Sequence, residues 1–147
     1  MRNASSVALS LLLSVTVGGS TRPPRGTQVA APNDNTRAAG TLEHGVLTLT
    51  LDARRAVWYP DGDSLPGREV EAFAEASRPP LVPGPLVRVP AGTTVSLTVR
   101  NTLERDSIVF LVPPEALSDS TKPSGDSVAI APGESAALRF TVPTPGN

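Results

Sequence analysis

Apolar and polar positions alternate with a period of two along most of this chain. Leu47, Leu49 and Leu51 alternate with Thr48, Thr50 and Asp52, the signature of a strand with one face buried and the other wet. Ala56 to Tyr59 ends that strand, and Pro60-Asp61-Gly62-Asp63 reads as a turn. Val95, Leu97 and Val99 face one side of a second strand, opposite Thr94, Ser96, Thr98 and Arg100. In a third, Ala136, Leu138, Phe140 and Val142 point inward and Ala137, Arg139 and Thr141 outward. Val70 to Ala74 reads as a short strand between turn residues, and Ser107 to Val112 as a strand that is apolar on both sides. Ser118 to Asp126 is a polar loop. Glycine- and proline-bearing turns precede two of the strands. Leu86 to Val89, Pro90-Ala91-Gly92 and Thr93 to Arg100 predict one antiparallel hairpin. Val128 to Ile130, Ala131-Pro132-Gly133 and Ser135 to Val142 predict another. No segment keeps a long 3.6-residue period, so helix is expected to be scarce.

Short strands joined by many turns imply an all-β, Greek-key sandwich, and the composition agrees. The 147 residues include 16 Pro and 12 Gly but only three Phe, one Trp and one Tyr. That length suits one core rather than two. A formal net charge of −1 gives no electrostatic case for nucleic acid or an anionic membrane surface. With no cysteine, a disulfide framework and any thiolate copper or zinc site are excluded.

The chain opens on a basic Arg2, an apolar run from Val7 to Val17, and the small residues Gly18, Gly19 and Ser20. This is the pattern of a cleaved secretory signal, and the run is too short to span a bilayer. The expected organisation is a signal peptide over residues 1–20, a flexible linker over 21–39 and one domain over 40–147. Export places that domain in the periplasm or outside the cell, with no membrane attachment after cleavage.

Several segments taken together are similar to the first, plastocyanin-like domain of bacterial multicopper oxidases. They are Gly45-Val46-Leu47-Thr48-Leu49, Trp58-Tyr59-Pro60, Ala72-Phe73-Ala74-Glu75, Pro83-Gly84-Pro85-Leu86-Val87-Arg88-Val89, Val95 to Asn101, and Ala131-Pro132-Gly133-Glu134. The resemblance implies a cupredoxin-like fold, copper as the family's cofactor, oxidoreductase activity for the family, and further cupredoxin domains as partners. It also implies a His-x-His pair on the strand after the first hairpin. The matching positions are Val109 and Leu111, whose alkyl groups have no lone pair to give copper, whereas such sites are built from imidazole nitrogen. The family's second pair follows a Pro-Gly-x-Tyr strand, and the sequence reads Pro145-Gly146-Asn147 at that point. The expectation is therefore a sandwich whose C-terminal strand is incomplete, either as the front piece of a longer oxidase-type protein or as a short relative without metal. No catalytic residue, no metal ligand and no copper are expected in this chain by itself.

Other candidates have plain alternatives. His44 is the only histidine, and one imidazole in a loop does not make a copper site. Asp61, Asp63 and Ser64 have alternate spacing suggestive of a calcium loop, but the fixed glycine and distal glutamate of such loops are missing. Ser118, Ser120, Thr121, Ser124 and Ser127 have no neighbouring histidine to act as base. Ile108, Phe110 and Val112 are a candidate interface. The run containing them is either a central strand under the Ser118 to Asp126 loop or a face that meets another domain or subunit. Two functions follow: an architectural domain of an exported oxidase-type protein, or a secreted non-catalytic β-sandwich that binds a protein or cell-surface partner.

Overall fold

A computed structural model describes residues 27–111 and 127–143. All regular structure among them is β. The strands are β1 (Gln28–Val29), β2 (Ala31–Pro32), β3 (Thr41–Glu43), β4 (Val46–Trp58), β5 (Arg68–Glu75), β6 (Leu81–Val82), β7 (Thr94–Asn101), β8 (Ile108–Leu111), β9 (Ser127–Ile130) and β10 (Ser135–Thr141). The main sheet runs β1-β4-β7-β10, with β3 and β5 also on β4. Two small sheets, β2-β6 and β8-β9, complete the described structure.

The two-residue alternation turns directly into layers. Leu47, Leu49 and Leu51 of β4, Val95, Leu97 and Val99 of β7, and Leu138 of β10 are all buried. They meet Ile130 of β9 in one core, with Phe73, Ile108, Phe110, Val128 and Phe140 packed around it. The molecule is a β-sandwich, the main sheet facing the β8-β9 ribbon across a cysteine-free apolar filling. Burying each Leu or Val side chain contributes roughly 1.5–3 kcal/mol, so the three alternating strands supply most of the driving force.

Neither expected hairpin forms. β7 has both edges occupied, by β4 in parallel and β10 antiparallel. Leu86 to Val89 therefore has no ladder to join, and Leu86 makes only a single parallel bridge with Ala38. The sheet is consequently mixed rather than purely antiparallel. At the second site β9 pairs with β8, not β10. The Ala131–Glu134 turn (Glu134 N to Ala131 O, 3.0 Å) carries the chain from one sheet to the other, which lets Ile130 and Leu138 fill the core from opposite sides.

Residues 28–39 were expected to belong to a flexible linker. Instead β1 pairs with β4 and β2 with β6, and Ala39 is buried in the core, because main-chain hydrogen bonds need no apolar periodicity. His44 does not precede the first strand of the domain. It shares the β3–β4 hairpin turn with Gly45, at φ +49° and +77°, the left-handed pair that a tight hairpin prefers. The expected signal segment (1–20), Val112, the expected loop over 118–126 and residues 145–147 lie outside the described residues.

The likeness of the two turn sequences has a structural meaning. β7 and β10 pair about a local twofold centred on the Leu97↔Leu138 pair. At one end Gly92 N donates to Val142 O (2.7 Å) and Val142 N to Thr93 O (3.0 Å). At the other, Gly133 N donates to Asn101 O (2.9 Å) and Asn101 N to Glu134 O (2.9 Å). Each turn thus enters its strand through a G1 bulge, with two residues opposing one and glycine in the left-handed region, at φ +82° and +79°.

Asn101, 1% exposed, joins the two sheets. Its Nδ2 donates to Ile130 O (2.9 Å) and Asp106 O (2.8 Å), and its Oδ1 accepts from Leu103 N (3.0 Å). It occupies the inward slot after Val95, Leu97 and Val99, where an amide is tolerated only because every polar atom is satisfied.

Two predictions follow from these contacts. Asn101→Ala leaves the buried Ile130 carbonyl and the Leu103 N–H without partners and takes a bond from the Asp106 carbonyl, and is expected to cost about 3 kcal/mol in urea unfolding. Gly92→Ala and Gly133→Ala meet no steric obstacle, so each should cost only the left-handed backbone term, about 1–2 kcal/mol, and the two midpoints should fall together.

Candidate functional site

The outer face of the main sheet carries a buried charge. Asp52 lies on the polar side of β4, yet it is 2% exposed. Arg100 of β7 donates to it from Nε (2.6 Å to Oδ1) and Nη2 (3.0 Å to Oδ2), and Arg54 from Nη2 (2.5 Å to Oδ2). The parallel β4·β7 ladder ends at Thr50↔Thr98, and Asp52–Arg100 is the next pair in the same register. The side chains continue what the main chain stops. One residue further, Thr102 N and Oγ1 both donate to Ala53 O (3.1 and 2.7 Å). Burial pushes the Asp52 carboxyl up, but hydrogen bonds from Arg100 and Arg54, with their charges, outweigh it and hold the group below the usual carboxylate range. The Arg100 guanidinium is correspondingly pushed up.

Beside this cluster lies an open cleft of about 340 Å³, lined by Gln28, Arg54, Arg55, Thr102, Leu103 and Glu104. Its two cations are already matched. Arg54 pairs with Asp52 and also donates to Gln28 Oε1 and Arg78 O, while Arg55 lies 3.3 Å from Asp106 and 3.9 Å from Glu71. The cleft therefore has no net appetite for an anion, and it contains no nucleophile–base pair.

The β8 strand divides its apolar residues between its two faces. Ile108 and Phe110 turn inward and pack on the core, because their side of the ribbon faces the main sheet. Val109 and Leu111 turn outward and are 64% and 75% exposed. Opposite them on β9 are Ala129 and Ser127, both exposed. The accessible face of β8 thus belongs to Val109 and Leu111. Val112 lies outside the described residues.

His44 is exposed in its turn, on the opposite edge of β4 from β7 and in a different sheet from β8. Asp61, Asp63 and Ser64 are exposed in the β4–β5 connection, where Leu65 N closes a turn onto Gly62 O (3.1 Å). Among the described residues no three His, Cys, Asp or Glu side chains converge as a metal site would require. No helix among them is long and apolar enough to cross a membrane.

Sequence reading missed Asp52, Arg54, Arg100 and Asn101 as a group. Asn101 left a signal, an amide in an inward slot. Asp52 left none, since the alternation assigns it to the wet face and only two arginines folding over it bury it.

No protein-family profile matches the sequence, and no curated protein does. Similar solved structures are multicopper oxidases. One, from Campylobacter jejuni and described as a metallo-oxidase, is 18% identical, with a TM-score of 0.46 over 83% of this chain and 26% of its own. Another, from Pediococcus acidilactici, is 19% identical, with a TM-score of 0.39 over 81% and 23%. A laccase-like multi-copper oxidase from Ochrobactrum sp. is 21% identical, with a TM-score of 0.37 over 80% and 22%. The chain spans about a quarter of the length of these proteins.

The charge cluster fixes a pH dependence. The folded Asp52 carboxyl lies below its ordinary value of 3.8, so its contribution is fully present above that value and is lost as pH falls through the lower, folded one. Wild-type stability should therefore drop below about pH 4. In Asp52→Asn that drop should be shallower, because the carboxyl held lowest by two guanidinium groups is gone. In Arg100→Ala the burial penalty gains ground, so stability should fall at neutral pH while the acid slope flattens. Urea midpoints measured from neutral to strongly acid pH check all three.

Proposed function

We propose that this chain is a cupredoxin-like domain of an exported protein of the multicopper oxidase type, that it holds no copper by itself, and that its contribution is architectural. Its β8 face meets a further cupredoxin domain or another protein partner. Copper binding and oxidoreductase chemistry would then be properties of a larger assembly, in the periplasm or outside the cell. The reading draws on the segmental sequence resemblance and on one observation that carries it. The side chains most available on β8, Val109 and Leu111, are alkyl groups at the positions matched to a histidine pair.

The donor chemistry does not fit the metal. Copper sites of this kind need several imidazoles held together. The chain has one histidine, on the β3–β4 turn, so no step is routed through copper here. What β8 offers is apolar area facing water, which is the usual mark of a surface made for contact. The same exposure favours a second reading, a secreted non-catalytic sandwich that binds a protein or cell-surface partner through that face. The gene separates the two. A reading frame that continues past the Asn147 codon with His-x-His pairs fits the oxidase-type domain, and a stop codon fits the binding module.

The copper question has a direct test. The purified chain, mixed with one equivalent of cupric ion and desalted, should retain no stoichiometric metal. Val109→His with Leu111→His places two imidazoles on one face of a strand and should gain measurable copper uptake. Tight one-to-one binding by the wild type, with nitrogen hyperfine structure in its electron paramagnetic resonance spectrum, would overturn the proposal.

A further inference from the structure

We propose that residues 28–37 form a latch that opens as a unit while the sandwich stays folded, and that the latch is the movable wall of the cleft beside Arg54. The segment is held almost wholly by main-chain bonds. Ala30 N donates to Val57 O (2.9 Å), Ala31 N to Pro80 O (2.9 Å) and Asn33 N to Val82 O (3.0 Å), with Asn33 Nδ2 on Gly84 O (2.8 Å). Its one ion pair, Arg37–Glu75 at 2.7 Å, has the arginine half exposed. Of its side chains only that of Ala30 is buried. Anchorage begins just beyond it, where Ala38 bridges to Leu86, Ala39 enters the core, and Gly40 N donates to Glu75 Oε1 (3.3 Å).

Bonds of this kind exchange for bonds to water at small net cost, and one alanine methyl adds little apolar burial. The core strands, by contrast, open only with the whole leucine and valine filling. The free energies of the two openings must therefore differ widely.

The latch also bounds the cleft. Gln28 forms one side of it, and Gln28 Oε1 accepts from Arg54 Nη1 at 3.2 Å. The other partners of Arg54, Asp52 and the carbonyl of Arg78, belong to the body. Opening the latch removes one wall and hands one face of the guanidinium to solvent without disturbing the buried carboxylate.

Amide hydrogen exchange on the full chain tests this. The amides of Ala30, Ala31 and Asn33 should exchange at least ~100-fold faster than those of Leu97 and Val99. Asn33→Ala should speed all three by about fivefold and leave Leu97 and Val99 unchanged. Ala30→Asp should remove their protection, raise exchange at the Arg54 Nη1 protons that Gln28 Oε1 accepts, and leave the cooperative melting transition in place. Latch amides that exchange at the rate of Leu97 and Val99 at every denaturant concentration would overturn the proposal. So would an Ala30→Asp chain that loses the whole domain's protection, and an unchanged Arg54 signal would overturn the assignment of the latch as the cleft wall.

Discussion

The side chain of Asn101 is the constraint on which the rest of this sandwich depends. Two sheets can approach only if the strand that bridges them ends without stranding polar groups between the layers. β7 carries three inward aliphatic residues and then this amide, whose two donors and one acceptor are all spent on the far layer and on the loop leading to it. Its main chain is spent on the Gly133 bulge. Five hydrogen bonds thus meet at one residue of 1% exposure. They fix where β7 stops, where β9 turns into β10 and how far the β8-β9 ribbon sits from the main sheet. A satisfied buried network of this kind specifies one arrangement, because every alternative leaves a donor or acceptor dry.

A second polar device works on the opposite face. β4 and β7 run parallel and part company after Thr50 and Thr98. The Asp52–Arg100 pair carries the register one step beyond the ladder, and Arg54 seals it. One carboxylate shared by two guanidinium groups is costly to bury and costlier to break, so the cluster acts more as a clamp on strand divergence than as a net source of stability. Neither polar fixture involves the outward face of β8, where Val109 and Leu111 are exposed.

The site was only partly legible in the sequence. The chemistry of Val109 and Leu111 was legible, two alkyl side chains two residues apart and so on one side of a strand. Which face of β8 is accessible was not. An apolar run such as Ile108-Val109-Phe110-Leu111 has no internal contrast, and the inward pair is chosen by where the main sheet lies. The sequence therefore left Ile108 and Phe110 open between a buried strand and an interface, and in the structure they are half-buried against the core. Asp52 shows the same limit from the other side, a charge on a wet face that becomes buried only when arginines two and forty-eight residues away fold over it.

The sequence by itself determined the strands. Leu47 to Leu51, Thr94 to Arg100 and Ala136 to Thr141 fold as their alternation dictates, because side-chain period and strand geometry share the same factor of two. It also determined the two glycine turns, because only glycine takes φ near +80° without strain. Tertiary structure alone decided which strands pair. Adjacent strands joined by a tight turn look like hairpins, yet β7 chose β4 and β10, and β9 chose β8. Pairing is set by which edges remain open and which apolar faces must meet across the core, and both are sums over residues far apart in the chain. The periodicity of a single segment carries the face it will bury but no information about its neighbour.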